Sequence, residues 1–383
     1  MATTVTAAAK PSASPATAAA AAQAKALSLA KVVADAQEKT KGYLGRIEAA
    51  VDDAAQRCIE ESQLDEKLVG YGKRTVGKVR DTYICDDAIV LVTTDRQSAF
   101  DRQLARVPFK GAVLNQTSAW WFEKTRHIAP NHLLGSPHPN VCVGKKCTVF
   151  PIEFVMRGYL TGSTSTSIWK NYEAGTRAYC GHTLPEGMSK NQELPMGNIL
   201  TPTTKDDLHD ELISAEEVVS SGRMSQADWD ECSRLAHALF RFGQEAAAER
   251  GLILVDTKYE LGKDSEGNII LVDEIHTPDS SRYWVKETYE GNVSQGREPE
   301  NIDKEFLRRW YTQHCDPYKD ETVPDAPKEL VAELSRRYVM LYEIITGQDF
   351  VFPSEEGPSV DEQMSSAVSA FLKAHRDTTD AAP

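Results

Sequence analysis

The sequence predicts an α+β protein whose antiparallel strands carry the chemistry, and three observations lead there. The stretch Leu252 to Trp284, LILVDTKYELGKDSEGNIILVDEIHTPDSSRYW, alternates from Ile253 to Leu261, turns through Lys263-Asp264-Ser265-Glu266-Gly267-Asn268 and returns through the apolar run Ile269 to Val272, which is the pattern of a β-hairpin. A glycine-opened segment from Gly70 leads into a strand at Val79 to Ile84, an Asp86-Asp87 turn and a partner strand at Ala88 to Val92. Two segments, Ser225 to Arg250 and Pro327 to Thr346, place Leu235, Leu239 and Phe242, and Leu330, Leu334, Tyr338, Leu341 and Ile345, on apolar helical stripes closed by Gly251 and Gly347. Both read as packing helices.

From the N-terminus, residues 1–40 contain no acidic residue before Asp35 and are dominated by Ala, Ser and Thr, the composition of an organelle transit peptide. The first arginine is Arg46, which leans towards a plastid rather than a mitochondrion. The alternative is a disordered Ala-rich tail on a cytoplasmic protein, and on either reading the segment lies outside the fold. From Gly42 to about Leu64, the spacing of Leu44, Ile47, Val51, Ala54 and Cys58 predicts an amphipathic helix packed on the body. Next, Gly72 to Val79 nearly matches G-x-x-x-x-G-K-[ST], with Val79 where a metal-binding hydroxyl belongs, and a strand follows where a P-loop needs a helix. Such a turn can still lay backbone amides over phosphates while Lys78 adds a point charge, as in protein kinases. The kinase elements H-R-D-L-x-x-x-N and D-F-G are absent, so the acceptor is not a protein hydroxyl.

Three islands follow. Thr94 to Asp101 trails a buried strand, and Lys110 to Gln116 opens an amphipathic helix carrying Trp120, Trp121 and Phe122. Pro151 to Ser163 places Arg157 at a strand end before a Thr-Gly-Ser turn, a grip for phosphate or carboxylate unless Arg157 merely pairs with a surface acid. Within the hairpin, Asp256, Lys258 and Glu260 share a strand face, and the expected pairing sets Asp273 opposite Lys258, leaving Asp256, Glu260 and Asp273 as neighbours. Three crowded carboxylates need more than Lys258 to neutralise them, and oxygen-only ligation favours Mg²⁺. The alternative is a solvated hairpin laced with surface ion pairs. The loop Thr277 to Arg282 supplies hydroxyls and a guanidinium for an anionic substrate.

Composition sets limits on partners. The formal charge of −14 over 383 residues argues against nucleic acid and anionic membranes, and no apolar run is long enough to span a bilayer. Self-association is left open. Seven scattered cysteines imply no disulfide framework, and Cys142 and Cys147 read as structural. After Ser354 the acidic, small-residue ending (354–383) reads as a partly ordered tail.

Taken together and in order, GKVRDTY, TDRQSAFD, KGAVLNQ, EFVMRGYLTGS, LVDTKYELG and DEIHTPDSSRYW resemble the SAICAR synthetase family of purine biosynthesis, from about Gly70 to Trp284 and on through the C-terminal helices. The resemblance implies ATP-dependent joining of L-aspartate to the carboxylate of carboxyaminoimidazole ribonucleotide (CAIR), with ATP and Mg²⁺ in a cleft between two lobes. These would be a small antiparallel β-rich nucleotide lobe (41–155) and a larger α+β lobe (156–353). It further implies that Gly77, Lys78 and Arg80 hold the nucleotide, Arg80 standing where some members have lysine. Glu260 and Asp273 would ligate Mg²⁺, while Arg157, Ser163, Asp279 and Arg282 would orient the ribonucleotide. Lys78, Asp256, Lys258 and Asp279 would serve the chemistry. Thr201 to Lys205 with His209-Asp210-Glu211 resembles the family's mobile loop. Rival readings are another ATP-dependent small-molecule ligase or kinase, or an ATP-binding regulatory protein without activity.

Overall fold

The computed structural model describes residues 29–205, 211–354 and 357–380. The glycine-opened segment forms strands Tyr71–Val76, Arg80–Cys85 and Ile89–Thr93, which pair antiparallel in sequence order. Val141–Gly144 and Leu133–His138 extend them to a five-stranded sheet. The alternation of Tyr83 and Cys85 with half-buried neighbours, together with Val90, Val92, Val141 and Val143, turns one face inward. What covers that face corrects the expected C-terminal tail. Met364, Val368 and Leu372 of the helix Val360–Asp380 are buried against it, and three such side chains contribute about 1.5–3 kcal/mol each. Their four-residue spacing is a narrow stripe that the surrounding acidic and small residues dilute.

The N-terminal expectation is corrected in the same way. Residues 29–41 are helical, and Val33 is buried in the main core. Gly251 permits this contact, since a Cβ there would lie 2.8 Å from the Leu29 carbonyl oxygen at a backbone φ of +77°. The transit-peptide reading now concerns residues 1–28, which lie outside the described residues. The single helix expected over 42–64 is two, Leu44–Asp52 and Ala54–Arg57, broken at Asp53.

The second sheet is organised by one twelve-residue strand, Leu252–Lys263. It pairs antiparallel with Ile152–Arg157, Ile269–Val272, Ser281–Val285 and Thr148–Val149. The helix Gln226–Ala248, capped by the Ser225 hydroxyl, lays Leu235 and Leu239 into the core. The helix Lys110–Thr125 departs from its expected amphipathic pattern. Lys110 to Asn115 are all buried, because the helix Lys328–Thr346 and the hairpin Arg96–Ala99/Arg102–Arg106 close over them. Gly347, at φ +70°, ends the helix Lys328–Thr346 as its sequence predicts.

The segment from Thr201, which resembles the family's mobile loop, is held to the second sheet through Thr204. Ile199–Leu200 and Thr203–Thr204 pair with Ile152–Arg157, and Thr201, Thr203 and Thr204 are buried. His209 and Asp210 lie outside the described residues. All seven cysteines are free thiols, and burial pushes Cys142 up to about 12, which suits a structural role. Among the described residues no helix is long and apolar enough to cross a membrane.

Candidate active site

A cavity of about 590 Å³ lies between the two sheets, with the turn Gly77 to Arg80 on one side and the long strand Leu252–Lys263 on the other. At its acidic end the observed register differs by one residue from the expected one. Glu260 pairs with Val272, so a continued strand would put Asp273 opposite Tyr259 on the core face. The strand instead ends at Val272 and Asp273 adopts φ +65°, a left-handed conformation. That kink brings its carboxylate within 3.6 Å of Lys258 Nζ and 2.8 Å of Arg80 Nη1. The expected proximity of Lys258 and Asp273 is therefore realised through a backbone turn, with no contribution from the pleat.

The charge balance also departs from expectation. Lys258 Nζ lies 2.6 Å from Glu260 and 3.2 Å from Glu153, but it is not alone. Lys205 reaches the other Glu260 oxygen, and Arg80 holds Asp273 and Glu274 at 2.8 and 2.9 Å. Four carboxylates thus meet three protein cations in the cavity wall, all but Lys205 largely withdrawn from solvent. Burial opposes the Lys258 charge, yet Glu153, Glu260, Asp273 and Glu274 outweigh it and hold its pKa well above the lysine range. Burial likewise opposes the Asp273 charge, but Arg80, Lys258 and Lys205 keep it well below the usual carboxylate range.

This end fits Mg²⁺. Among the described residues no three His, Cys, Asp or Glu side chains form a closed metal cage. Mg²⁺ usually takes one or two carboxylates and completes its shell with phosphate and water. Glu260 and Asp273, both lining the cavity, are carboxylates in that number. Lys78 is well exposed, with Nζ 2.6 Å from Asp101, so its charge is at the mouth and exchangeable. Arg80 is different: half-buried at a strand start, it is committed to Asp273 and Glu274, and also reaches Thr93 Oγ1 at 3.2 Å.

The other end is built from three adjacent strands. Asp256 is the cross-strand neighbour of both Arg157 and Arg282, and its Oδ2 lies 3.7 and 2.5 Å from their Nη1 atoms. Asp256 therefore does not sit beside Glu260 and Asp273 as expected; it joins two arginines that were expected to grip substrate. Arg157 is further fixed by Thr201 Oγ1 at 2.9 Å, and Arg282 by Glu305 at 3.3 Å. Asp279 also lines the cavity, ion-paired to Lys110 at 3.1 Å and accepting the Tyr338 hydroxyl at 2.7 Å. Although burial opposes its charge, Lys110 and Lys304 hold its carboxyl well below the usual range. Ser163 faces a neighbouring cavity of about 350 Å³, its buried Oγ lacking a hydrogen-bond partner.

Sequence reasoning did not assign roles to Glu153, Glu274, Lys110, Lys304, Glu305, Arg308 or Tyr338. Lys110 sits in the KGAVLNQ island and Tyr338 on an apolar stripe, where a hydroxyl aimed at a carboxylate is the only hint. Lys304 and Arg308 are four apart at the start of a helix with one intervening acid, a signal easily read as surface charge.

Two antiparallel sheets enclosing a cavity, with a lysine-bearing glycine turn over an acidic end and an arginine pair at the other, define a nucleotide-dependent enzyme of small anionic substrates. A family model described as SAICAR synthetase matches residues 73–324. A phosphoribosylaminoimidazole-succinocarboxamide synthase of Legionella pneumophila is 60% identical over 295 residues, covering 77% of this chain and 94% of that protein. A relative from Arabidopsis thaliana with the same name, designated chloroplastic, is 55% identical over 318 residues, 83% of this chain and 77% of its own. The solved SAICAR synthase of Saccharomyces cerevisiae complexed with SAICAR superposes with a TM-score of 0.64 at 31% identity, covering 77% of this chain and all of that one. A SAICAR synthetase in complex with ADP superposes at 0.56 with 25% identity, over 73% of this chain and all of that one. The chain belongs to the SAICAR synthetase family, the ATP-dependent ligases that join L-aspartate to CAIR in purine biosynthesis.

Proposed function

We propose that the ligation runs through an acyl phosphate of CAIR, with the two ends of the cavity dividing the work. The observation that carries this reading is the spacing along one strand. Asp256 and Glu260 share a face four residues apart, which separates the arginine end from the acidic end by about 13 Å at ~3.3 Å per residue. That distance suits a ribonucleotide phosphate at one end and nucleotide phosphates at the other.

A carboxylate is a poor electrophile because expelling oxide is prohibitive, so the γ-phosphoryl group of ATP must first be transferred to a CAIR carboxylate oxygen. The amine of aspartate then attacks the acyl carbon, loses a proton and expels phosphate, forming the amide. Gly77 and Lys78 cover the phosphates, and Lys258 neutralises charge that develops during transfer. Glu260 and Asp273 would hold Mg²⁺, which when bound neutralises phosphate charge. Arg157 and Arg282 take the ribonucleotide phosphate as bidentate donors, with Ser163 beside them. Arg80 and Asp256 act by holding other side chains in place. Asp279, fixed by Lys110 and Tyr338, orients the imidazole end. The residues lining the cavity include no serine, cysteine or histidine with an activating base, so no covalent protein nucleophile is invoked.

Carboxylate enriched in heavy oxygen tests the route. One labelled atom should appear in inorganic phosphate per turnover; unlabelled phosphate with product still formed would exclude the acyl phosphate. We further infer a plastid address, since relatives of Arabidopsis thaliana and Vigna aconitifolia carry the designation chloroplastic and residues 1–28 lack any acidic side chain.

A further inference from the structure

Thr94 and Arg96, at the head of the island Thr94 to Asp101, are buried and do not line the cavity, yet both bond the turn Gly77 to Arg80 that does. The Arg96 guanidinium donates to the Gly77 carbonyl at 2.8 Å and, more weakly, to that of Lys78 at 3.5 Å. The next carbonyl, of Val79, accepts the Thr94 amide at 3.0 Å and the Thr94 hydroxyl at 2.7 Å. Three successive carbonyls of the turn are thus drawn to two residues that stand outside the cavity lining. A trans peptide is planar, and its N–H points opposite to its C=O. Fixing the carbonyls of Gly77 and Lys78 therefore turns the amides of Lys78 and Val79 the other way, towards the cavity that these residues line. Among the described residues neither amide donates to any group of the chain. Adjacent free N–H groups of this sort form a concavity for anionic oxygens.

The anchor is itself held from behind. Arg96 Nη2 also meets Asp81 Oδ1 at 2.7 Å, and Asp81, fully buried, accepts the Ser62 amide and hydroxyl on its other oxygen at 2.7 and 2.9 Å. Arg96 Nη1 donates to the Glu60 carbonyl. Asp81 supplies the counter-charge, and the remaining donors of the planar fork are divided among three backbone carbonyls, which leaves the guanidinium one position. At the front of the turn, a Cβ on Gly77 would lie 2.8 Å from the Arg80 carbonyl oxygen, so a side chain there would push the turn off this seat.

We propose that Arg96 and Thr94 are positioning residues for the phosphate-covering turn: they seat the carbonyls of Gly77, Lys78 and Val79 so that the Lys78 and Val79 amides are presented, preformed, to nucleotide phosphate oxygens. The proposal rests on the reading above in which Gly77 and Lys78 cover the phosphates. Neither positioning residue touches the nucleotide. Without the anchor each peptide can rotate, and a carbonyl turned towards a phosphate repels it; with the anchor the donors need no reorganisation when the nucleotide arrives.

Equilibrium titrations of ADP and of adenosine on the full chain, at one fixed magnesium concentration, test it with Arg96→Met, Arg96→Lys and Thr94→Val. Adenosine shares the base and ribose but carries no phosphate, so it does not read the turn. Arg96→Met should weaken ADP at least about tenfold and leave adenosine within about twofold. Arg96→Lys, which keeps the charge but cannot span the Gly77 and Lys78 carbonyls and Asp81 together, should fall between wild type and Arg96→Met. Thr94→Val leaves the Val79 carbonyl on the Thr94 amide alone and should weaken ADP about threefold. ADP affinity within about twofold of wild type in all the variants that fold overturns the positioning role. So does an equal loss of ADP and adenosine, the result of a general loosening of the nucleotide sheet. Should Arg96→Met not fold, Arg96→Lys and Thr94→Val carry the decision. Wild type that binds ADP no more tightly than adenosine would instead overturn the reading in which the turn covers the phosphates, and the proposal with it.

Discussion

Replacing Asp256 by asparagine discriminates between two roles for a buried acid in the site. The side chain keeps its shape but loses the charge that sits 2.5 Å from Arg282 and 3.7 Å from Arg157. At an effective dielectric of about 20 and a charge separation near 4 Å, each such pair is worth about 4 kcal/mol before desolvation is counted. Breaking a buried pair typically costs about 3–5 kcal/mol, because a charge is left uncompensated. Arg282 retains Glu305 as a partner at 3.3 Å, so the lower end, about 3 kcal/mol, applies here. With an unfolding entropy of roughly 2.1 cal/mol/K per residue, the full fold carries about 0.7 kcal/mol/K, and 3 kcal/mol lowers Tm by about 4 °C. The two arginines then repel each other until an anion binds, so inorganic phosphate should raise the variant's Tm more than that of wild type. In kinetics the KM for CAIR should rise about tenfold while that for ATP stays within about twofold. Scanning calorimetry with and without phosphate, alongside steady-state assays, measures both. A Tm within about 1 °C of wild type, with kcat abolished and both KM values unchanged, would refute the positioning role and make Asp256 a participant in the chemistry.

Three further outcomes are expected. Glu260→Gln and Asp273→Asn should remain folded yet lose at least about a hundredfold in activity and need more Mg²⁺ for half-maximal rate, as followed by magnesium titration; activity within about threefold of wild type would remove both from the metal site. His276 is fully buried, with Nε2 2.5 Å from the Tyr259 hydroxyl, and burial pushes its pKa down to about 3. It is thus neutral in the fold but takes a proton below about 6.5 when unfolded, so it contributes stability above that pH that is lost as pH falls towards 3. Relative to His276→Gln, wild type should therefore lose about 2 kcal/mol between pH 8 and pH 5 in urea titrations, and a pH-independent difference would contradict the assignment. A reporter fused behind residues 1–28 should enter plastids of a plant-type cell and be shortened; a full-length cytosolic fusion would favour the plain-tail reading.

How much of this was legible in the sequence depended on whether local pattern and tertiary pairing agreed. The long strand and its Ile269–Val272 partner were readable because alternation and turn chemistry coincide there. The helix Gln226–Ala248 was readable because Ser225 caps it and Gly251 follows it. The register of Asp273 was not, since a left-handed residue at a strand end breaks the parity on which side-chain facing is inferred. The place of Asp256 was not either: its partners stand on strands Ile152–Arg157 and Ser281–Val285, and only the sheet order brings them alongside. The C-terminal helix was missed because the three buried side chains Met364, Val368 and Leu372 suffice when the sheet they cover already exists.

The charge arrangement explains how so ionic a cavity can exist inside the fold. Glu260 rests on Lys258 and Lys205, Lys78 on Asp101, and Arg282 on Asp256 and Glu305. These charged groups already have a counter-charge from the chain, so much of their desolvation is compensated before any ligand arrives. Binding on the proposed reading would be an exchange of partners: a phosphate on Lys78 would displace Asp101, and Glu260 would release Lys205, whose side chain is 42% exposed, to hold a metal. Exchange costs less than burying a bare charge.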